Sequence, residues 1–391
     1  MTIRVIIEQP SLAKYRLPVF QELSRRPGLD FRLCYSKAPT LPNVEPEGLN
    51  ARFVPSWRYT LAGRRMIWNS SCWQNARRGA ADVLLLNWNL NHLNLLPTLL
   101  RARANGVATI LWGHGYSKAE ANWRRKGRHA AAGLATALLF YNFSTARQFI
   151  EQGWPSERIY VALNALDQRP VQAARRVWLD EPDQLAAFKR LQGITDGPVL
   201  LYVSRLKPEN RVDLLIRATA SLRLRHPALS TIIIGTGAEL EELKALAQAE
   251  GVADAVRFMG ALYDEMALAP WFLSADAFCY PANIGLSLLH AFGYGLPVIT
   301  SDRNDLQNPE IEALEPGGNG LVYRHDDLES LTATLDRLIT DRAVRARLAA
   351  EAHATSERFN LHSMVDGIER AIRYSAARTR GNETLVTNPG E

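Results

Sequence analysis

The sequence predicts an α/β protein built as two doubly wound domains, and three observations carry that prediction. The chain has 391 residues, too long for one ordinary domain and enough for two separate cores. Short β-branched, apolar runs alternate with amphipathic stretches of helical spacing along most of it. The alternation pauses once, over 167–195, and then restarts. Strand–helix alternation gives right-handed βαβ units and parallel sheets covered on both faces. Two blocks of it predict two such sheets facing a cleft.

In the first block, "IRVIIE", "FRLCYS", "ADVLLLN", "ATILWGH", "ATALLFYN" and "RIYVAL" read as strands. "LPVFQELSRR", "LNLLPTLLRARA" and "STARQFIEQG" read as the helices between them, with Pro18 at one helix start and Ser144 as the N-cap of another. Residues 167–195 are polar and helical, without a strand. The second block supplies "GPVLLYVS", "STIIIGTG", "AVRFMGA", "ADAFCYP", "LPVITSD" and "NGLVYR". Helical spacing then runs from 326 to about 375, and the chain turns small and polar from Ala376, as a frayed tail does.

A hydrophobic content of 47% and a charged content of 22% exclude general disorder. Cys34, Cys72 and Cys279 are far apart and lack metal-ligand spacing, which predicts reduced packing residues in a cytoplasmic protein. Arg4 and Pro10 cut the first apolar run too short for a secretory leader, and no stretch reaches the roughly 18 apolar residues of a membrane span. The charge is uneven. Residues 1–165 hold 22 Lys+Arg against 9 Asp+Glu; the rest hold 24 against 31. A basic first half predicts an anionic partner, such as a phosphorylated acceptor or the inner face of a membrane. No RNA- or DNA-binding signature accompanies the charge, so no nucleic-acid partner is expected.

In open α/β sheets ligands bind beyond the C-terminal strand ends, where helix N-termini point. Three such places stand out. In "YVSRLKPENRVDLLI", Arg205 directly follows a strand, with Lys207 and Arg211 on the adjoining loop and helix start. Cations there oppose the helix dipole, a conflict that a bound anion such as a diphosphate resolves; the alternative is ordinary loop charge. In "IIIGTGAELEEL", Gly235 and Gly237 let a backbone come close to a ligand, although many strand–helix turns are glycine-rich for geometry alone. In "NIGLSLLHAFGYGLPVIT", the N–H groups of Ile284, Gly285 and Leu286 open a helix on which His290 lies a turn further on. It either reaches a ribose or phosphate or is a satisfied, half-buried histidine.

The order "SRLKPENRVDLLI", "GTGAELEEL", "VRFMGAL", "GLSLLHAFGYGLPVIT" and "GGNGLVY" resembles the nucleotide-sugar-binding domain of glycosyltransferase family 4, over about 195–325. "YRLPVFQEL", "WGHGYS" and "VALNALD" agree more loosely in the first half. The resemblance implies the GT-B architecture of two Rossmann-like domains and a retaining, metal-independent hexosyltransferase using a nucleotide-diphosphate sugar. The expected division is an acceptor-binding domain over 1–166, a helical linker over 167–195 and a nucleotide-sugar-binding domain over 196–358. A C-terminal helix over 359–375 and a flexible tail over 376–391 follow.

By position, the resemblance implies diphosphate binding by Arg205 and by the backbone at Gly285 and Leu286. It makes His114 the histidine that contacts the donor sugar near the reacting centre. The family's lysine five residues after the arginine is Asn210 here, which leaves Lys207 or Arg211 to supply the charge. The family's two glutamates, eight positions apart, are Ala282 and His290. Ala282 cannot hold a sugar hydroxyl, so Asn283 and the acids around Glu310 become candidates, while His290 can still hydrogen-bond a ribose. Lys14, Tyr15 and Arg16 occupy a loop that lines the acceptor side in this architecture. The segments "WRYTLAGRRMIW" and "NWRRKGRH" suit either an anionic surface or a solvated basic face. The expected reaction is sugar transfer to a hydroxyl acceptor in polysaccharide or glycolipid assembly. The rivals are a GT-B epimerase or phosphorylase and a non-catalytic homologue.

Overall fold

The computed structural model describes residues 2–38, 42–61, 64–116, 121–194 and 197–379, which form two compact units, 1–164 with 361–391 and 165–360. In the first unit seven parallel strands lie in the order β3-β2-β1-β6-β7-β8-β9. They are β1 (Ile3–Gln9), β2 (Leu29–Tyr35), β3 (Ala51–Phe53), β6 (Val83–Asn87), β7 (Ala108–Gly113), β8 (Ala137–Phe140) and β9 (Ile159–Val161). The antiparallel pair β4 (Trp57–Leu61) and β5 (Arg64–Trp68) stands apart as its own two-stranded sheet. In the second unit the order is β12-β11-β10-β13-β14-β15. Those strands are β10 (Val199–Val203), β11 (Ser230–Ile234), β12 (Val256–Phe258), β13 (Ala277–Cys279), β14 (Val298–Ser301) and β15 (Gly320–Tyr323).

Unbroken apolar runs make the central strands because both faces are covered: Val83–Leu86, Leu138–Phe140 and Ile232–Ile234 are all buried. In each sheet the strand order reverses once, between β1 and β6 in the first unit and between β10 and β13 in the second. A crevice opens at such a switch point because the flanking connections leave on opposite faces. The fold therefore aims two loops at each point: those after β1 and β6, and those after β10 and β13.

Several expectations change. The expected helical linker, as far as residue 194, supplies two helices, Gln168–Asp180 and Pro182–Leu191, that are part of the second unit. Val171 and Ala174 enter its core, Trp178 Nε1 donates to the Met266 carbonyl at 3.0 Å, and Phe188 meets the Trp271 ring edge-on. The C-terminal helix runs Leu361–Thr379 and packs on the helix Leu17–Ser24 and on β7–β9, so it belongs to the first unit. Its end does not fray at Ala376, since Tyr374, Ser375 and Ala376 are buried and the Tyr374 ring lies against Tyr160. The rest of the expected tail, 380–391, lies outside the described residues, as do Ala62 and Gly63 of one basic segment and Ser117 of "WGHGYS". The helix Phe143–Glu151 is capped by Asn142, whose extended backbone lets its side chain accept from the Thr145 N–H; Ser144 sits inside the first turn. "NWRRKGRHAAAGL" forms the helix Asn122–Leu134.

Candidate functional site

At the switch point of the second unit the two loops are tied by side-chain amides. Asn210 is buried and donates from Nδ2 to the Tyr202 hydroxyl at 2.9 Å and to the Arg205 carbonyl at 2.7 Å. Its Oδ1 accepts from Asn283 Nδ2 at 3.1 Å, and Asn308 Nδ2 donates to the Asn283 carbonyl at 2.9 Å. Asn283 has φ +61°, left-handed backbone that a short amide side chain tolerates when it is held locally. Asn210, where the resembled family has lysine, is thus a structural knot. Burial pushes the Tyr202 hydroxyl well above its ordinary pKa, so it stays protonated and donates to the Arg205 carbonyl at 3.0 Å.

The cations sort clearly. Arg205 is exposed, and its guanidinium has no hydrogen bond or ion pair among the described residues. Arg211, with φ +53°, is held by Asp213 at 3.0 Å and by Asp326, and the Asp213 hydrogen bond raises its pKa further. Lys207 reaches Glu209 at 3.4 Å. Arg211 is therefore internally neutralised and does not replace a missing lysine, because two carboxylates already claim its fork. That leaves Arg205 as the cation of this loop without a partner among the described residues.

The glycines divide as well. A Cβ on Gly235, whose φ is +152°, would lie 1.8 Å from the Ser204 carbonyl oxygen, and one on Gly237 would lie 2.0 Å from that of Leu206. The close approach these glycines permit is to the neighbouring 204–206 loop, whose Leu206 N–H donates to the Thr236 carbonyl at 2.9 Å. They shape the turn rather than open it to a ligand. Gly285 differs, since a Cβ there would meet only the Asn308 side chain at 3.5 Å, an ordinary contact. The fold does not demand glycine at 285. The Ile284 N–H, expected to point outward, is bonded to Gln307 Oε1 at 2.7 Å. Leu286, beside Gly285, is half-buried.

His290 lies on the short helix Ser287–Gly293 with its Nε2 2.7 Å from Glu265 Oε1 and its ring against Phe272. Tyr294, whose pKa is raised chiefly by burial, donates to the same oxygen at 2.6 Å. A carboxylate therefore does stand beside His290, although it comes from a helix 25 residues earlier. Sequence reasoning missed Glu265 because only packing brings the two helices together. Glu310, the other candidate for holding a donor-sugar hydroxyl, is buried in the turn Pro309–Ala313.

In the first unit the loop after β1 carries the short helix Lys14–Arg16. Lys14 is exposed and Tyr15 half-buried, but Arg16 is buried. Its guanidinium lies 4.9 Å from the Trp112 ring centre, 5.0 Å from Tyr141 and 5.3 Å from Tyr15, a cation–π stack that replaces lost hydration. His114, exposed at the end of β7, rests on the other neighbour of this stack, its ring 4.8 Å from Tyr141. Arg16 and His114, selected separately from the sequence, meet through Tyr141.

The switch point of this unit also holds a small cavity of about 20 Å³, where Glu8, Asn69, His92 and Thr98 share the lining with apolar Leu86 and Leu95. Burial holds the His92 imidazole down to about 4, which keeps it neutral, and raises the Glu8 carboxyl. His92 Nε2 and Thr98 Oγ1 are buried with no partner. A space of that size takes one water or hydroxyl. Among the described residues no group of three or more His, Cys, Asp or Glu side chains is arranged to hold a metal ion.

Two doubly wound units, with a free cation and a dispensable glycine at the switch point of the second, define an α/β protein of the GT-B class. Residues 183–355, most of that unit, match the family described as "Glycosyl transferases group 1". Over that unit the chain is similar to glycosyltransferases, and its fold is that of GT-B enzymes. It is 32% identical over 192 residues to a D-inositol 3-phosphate glycosyltransferase of Frankia alni, covering 46% of each chain. It is 27% identical over 255 residues to a GDP-mannose-dependent alpha-(1-6)-phosphatidylinositol monomannoside mannosyltransferase of Mycolicibacterium smegmatis, covering 63% of this chain and 64% of that one. The matches thus span about half to two thirds of those relatives. Among solved structures, Anabaena Alr3699/HepE in complex with UDP is similar with a TM-score of 0.71 at 16% identity, covering 95% of this chain and 100% of that one. A glycosyltransferase from Rickettsia africae gives 0.72 at 11%, covering 95% and 98%.

Proposed function

We propose that this protein transfers a sugar, with retention, from a nucleotide-diphosphate sugar to a hydroxyl acceptor, without a metal. The observation that carries the reading is Arg205: an exposed, unpaired guanidinium at a switch point, beside a glycine the fold does not require. In the proposed mechanism the leaving diphosphate gains charge as the glycosidic bond breaks. Arg205 and the N–H groups of Gly285 and Leu286 stabilise that charge more than they stabilise the ground state. The Glu265–His290 pair meets the ribose, with Glu265 orienting the imidazole. With no enzymatic nucleophile assigned, the leaving phosphate assists deprotonation of the acceptor on the same face. His114, set by Tyr141, contacts the donor sugar.

Relatives named for an inositol phosphate and a phosphatidylinositol mannoside suggest a phosphorylated or lipid-linked acceptor, held by the basic first unit. One surface there suits an anionic membrane. Trp57 opposes Trp68 and Tyr59 opposes Met66 across β4–β5, which puts all four on one face, and Trp57, Tyr59 and Trp68 are exposed. The Ile67 N–H donates to the Asn91 carbonyl at 2.8 Å, and Arg124 donates to the Asn91 side chain at 3.0 Å. That links the aromatic face to exposed Trp123, beside Arg124, Arg125 and Lys126. Between Glu47 and Glu151 the sequence has only Asp82 and Glu120 as acids. Interfacial Trp and Tyr with unopposed Arg and Lys are what a headgroup layer attracts.

The test is calorimetric titration with UDP, GDP, ADP and TDP without added metal, then with the matching nucleotide sugars. One diphosphate should bind clearly tighter than the others. Arg205→Ala should weaken it at least tenfold, about 1.4 kcal/mol. An R205A protein that binds as tightly as the parent would overturn the site.

A further inference from the structure

At the edge of the first unit's sheet opposite His114, the N-terminal ends of β7 and β8 border an open hollow of about 310 Å³. Arg103, Arg158 and Arg378 line it with Thr109, Thr136 and Thr379, and no carboxylate is part of the lining. The three arginines come from separate places: the last turn of the helix Leu95–Ala104, the turn before β9, and the last turn of the C-terminal helix.

Helix C-termini favour a cation each, and this accounts for Arg158. Its guanidinium donates to the Ala132 carbonyl at 3.1 Å and to the Thr136 carbonyl at 3.2 Å, closing the end of the helix Asn122–Leu134. Arg103 and Arg378 lie in the last turns of their own helices, where the same preference favours them, yet neither closes a helix end by a side-chain hydrogen bond. Arg103 and Arg378 have no hydrogen bond or ion pair among the described residues. Three other arginines of the same unit have a carboxylate partner, Arg4 in Asp82 at 2.9 Å, Arg26 in Asp366 at 2.9 Å and Arg373 in Glu369. Burial lowers the proton affinity of Arg158, and the charges of Arg378 and Arg103 lower it further, against the opposing effects of Tyr374 and Glu157. Three like charges share one hollow, and a dianion would relieve their repulsion.

We infer that this hollow is an anion site for a phosphate group, held by Arg103 and Arg378 with Arg158 as its floor, and separate from the donor and acceptor sites. A phosphate dianion supplies oxygens for several guanidinium donors at once. The bearer is either a soluble phosphate compound or an anionic lipid headgroup. The helix Asn122–Leu134 separates the hollow from the Trp123 surface by about 20 Å at 1.5 Å per residue, so the two are distinct surfaces.

The experiment uses the full chain carrying Arg205→Ala, so that phosphate binding at the donor site does not report. Inorganic phosphate and pyrophosphate are titrated calorimetrically, and phosphatidylglycerol vesicles are used in flotation. Saturable binding of free phosphate or pyrophosphate, weakened at least tenfold by R103S/R378S and retained by R103K/R378K, establishes the site with a soluble bearer. Flotation lost in R103S/R378S, retained in R103K/R378K and unaccompanied by free-phosphate binding establishes it with a lipid bearer. If the serine pair changes neither measurement, or if R77S/R78S, outside the hollow, changes them equally, the inference is overturned.

Discussion

Asn210→Ala should separate what the amide knot does for stability from what it does for the ligand. The substitution removes three hydrogen bonds: two donated by Nδ2, to Tyr202 and the Arg205 carbonyl, and one accepted from Asn283. At about 1 kcal/mol net each, the loss is about 3 kcal/mol. It falls somewhat below that because the Tyr202 hydroxyl still donates to the Arg205 carbonyl at 3.0 Å. Asn283 then loses a holder for its left-handed backbone, and the 281–285 turn loosens with it. Urea unfolding should show the second unit destabilised by about 2–3 kcal/mol. UDP affinity, measured where the protein is still folded, should fall about tenfold, because a wandering Arg205 carries an ordering cost into binding. If N210A unfolds within about 0.5 kcal/mol of the parent and binds UDP unchanged, the amide network positions nothing.

Gly285→Ala should do the reverse: thermal unfolding stays put, since the new methyl meets only Asn308 at 3.5 Å, while UDP affinity drops about tenfold. Equal affinity would show that no ligand backbone or phosphate approaches there. Gly367→Ala should lower the melting temperature, because a Cβ there lies 2.1 Å from the Val161 carbonyl oxygen and overpacking costs about 1–3 kcal/mol; an unchanged melting curve would contradict the docking of the C-terminal helix. The His92 pKa, depressed to about 4 in the folded state against about 6.5 unfolded, has a definite sign. The folded state binds fewer protons between those values, so this contribution is complete above about pH 6.5 and is lost as pH falls towards 4, about 3 kcal/mol in all. His92→Phe should flatten the pH dependence of stability in that window, and an NMR titration of His92 near 6.5 would remove the effect.

The alternation of strands and helices made both parallel sheets legible, because burial on two faces forces apolar runs whatever their neighbours. Positions such as Arg205 were legible for a related reason: a residue directly after a buried strand must lie at the sheet's C-terminal edge, where an unpaired charge has few structural uses. The β4–β5 pair was not, since its face of Trp57, Tyr59 and Trp68 covers no core and leaves no burial pattern to read. The glycines show the limit most clearly. Gly235, Gly237 and Gly285 look alike in sequence, yet the first two are dictated by carbonyl oxygens 1.8 and 2.0 Å from where their Cβ atoms would lie, and the third by nothing inside the fold. Sequence reports that a side chain is missing; only the surroundings say whether the protein or a ligand needs the space. The same holds for His290. Its distance from Glu265 is set by two helices meeting, so a carboxylate stands 2.7 Å from His290 although its own helix supplies none. If that carboxylate orients the imidazole for a ribose, Glu265→Gln should weaken UDP and leave free diphosphate binding unchanged. A loss shared equally by both would mean that the pair only holds the helices together.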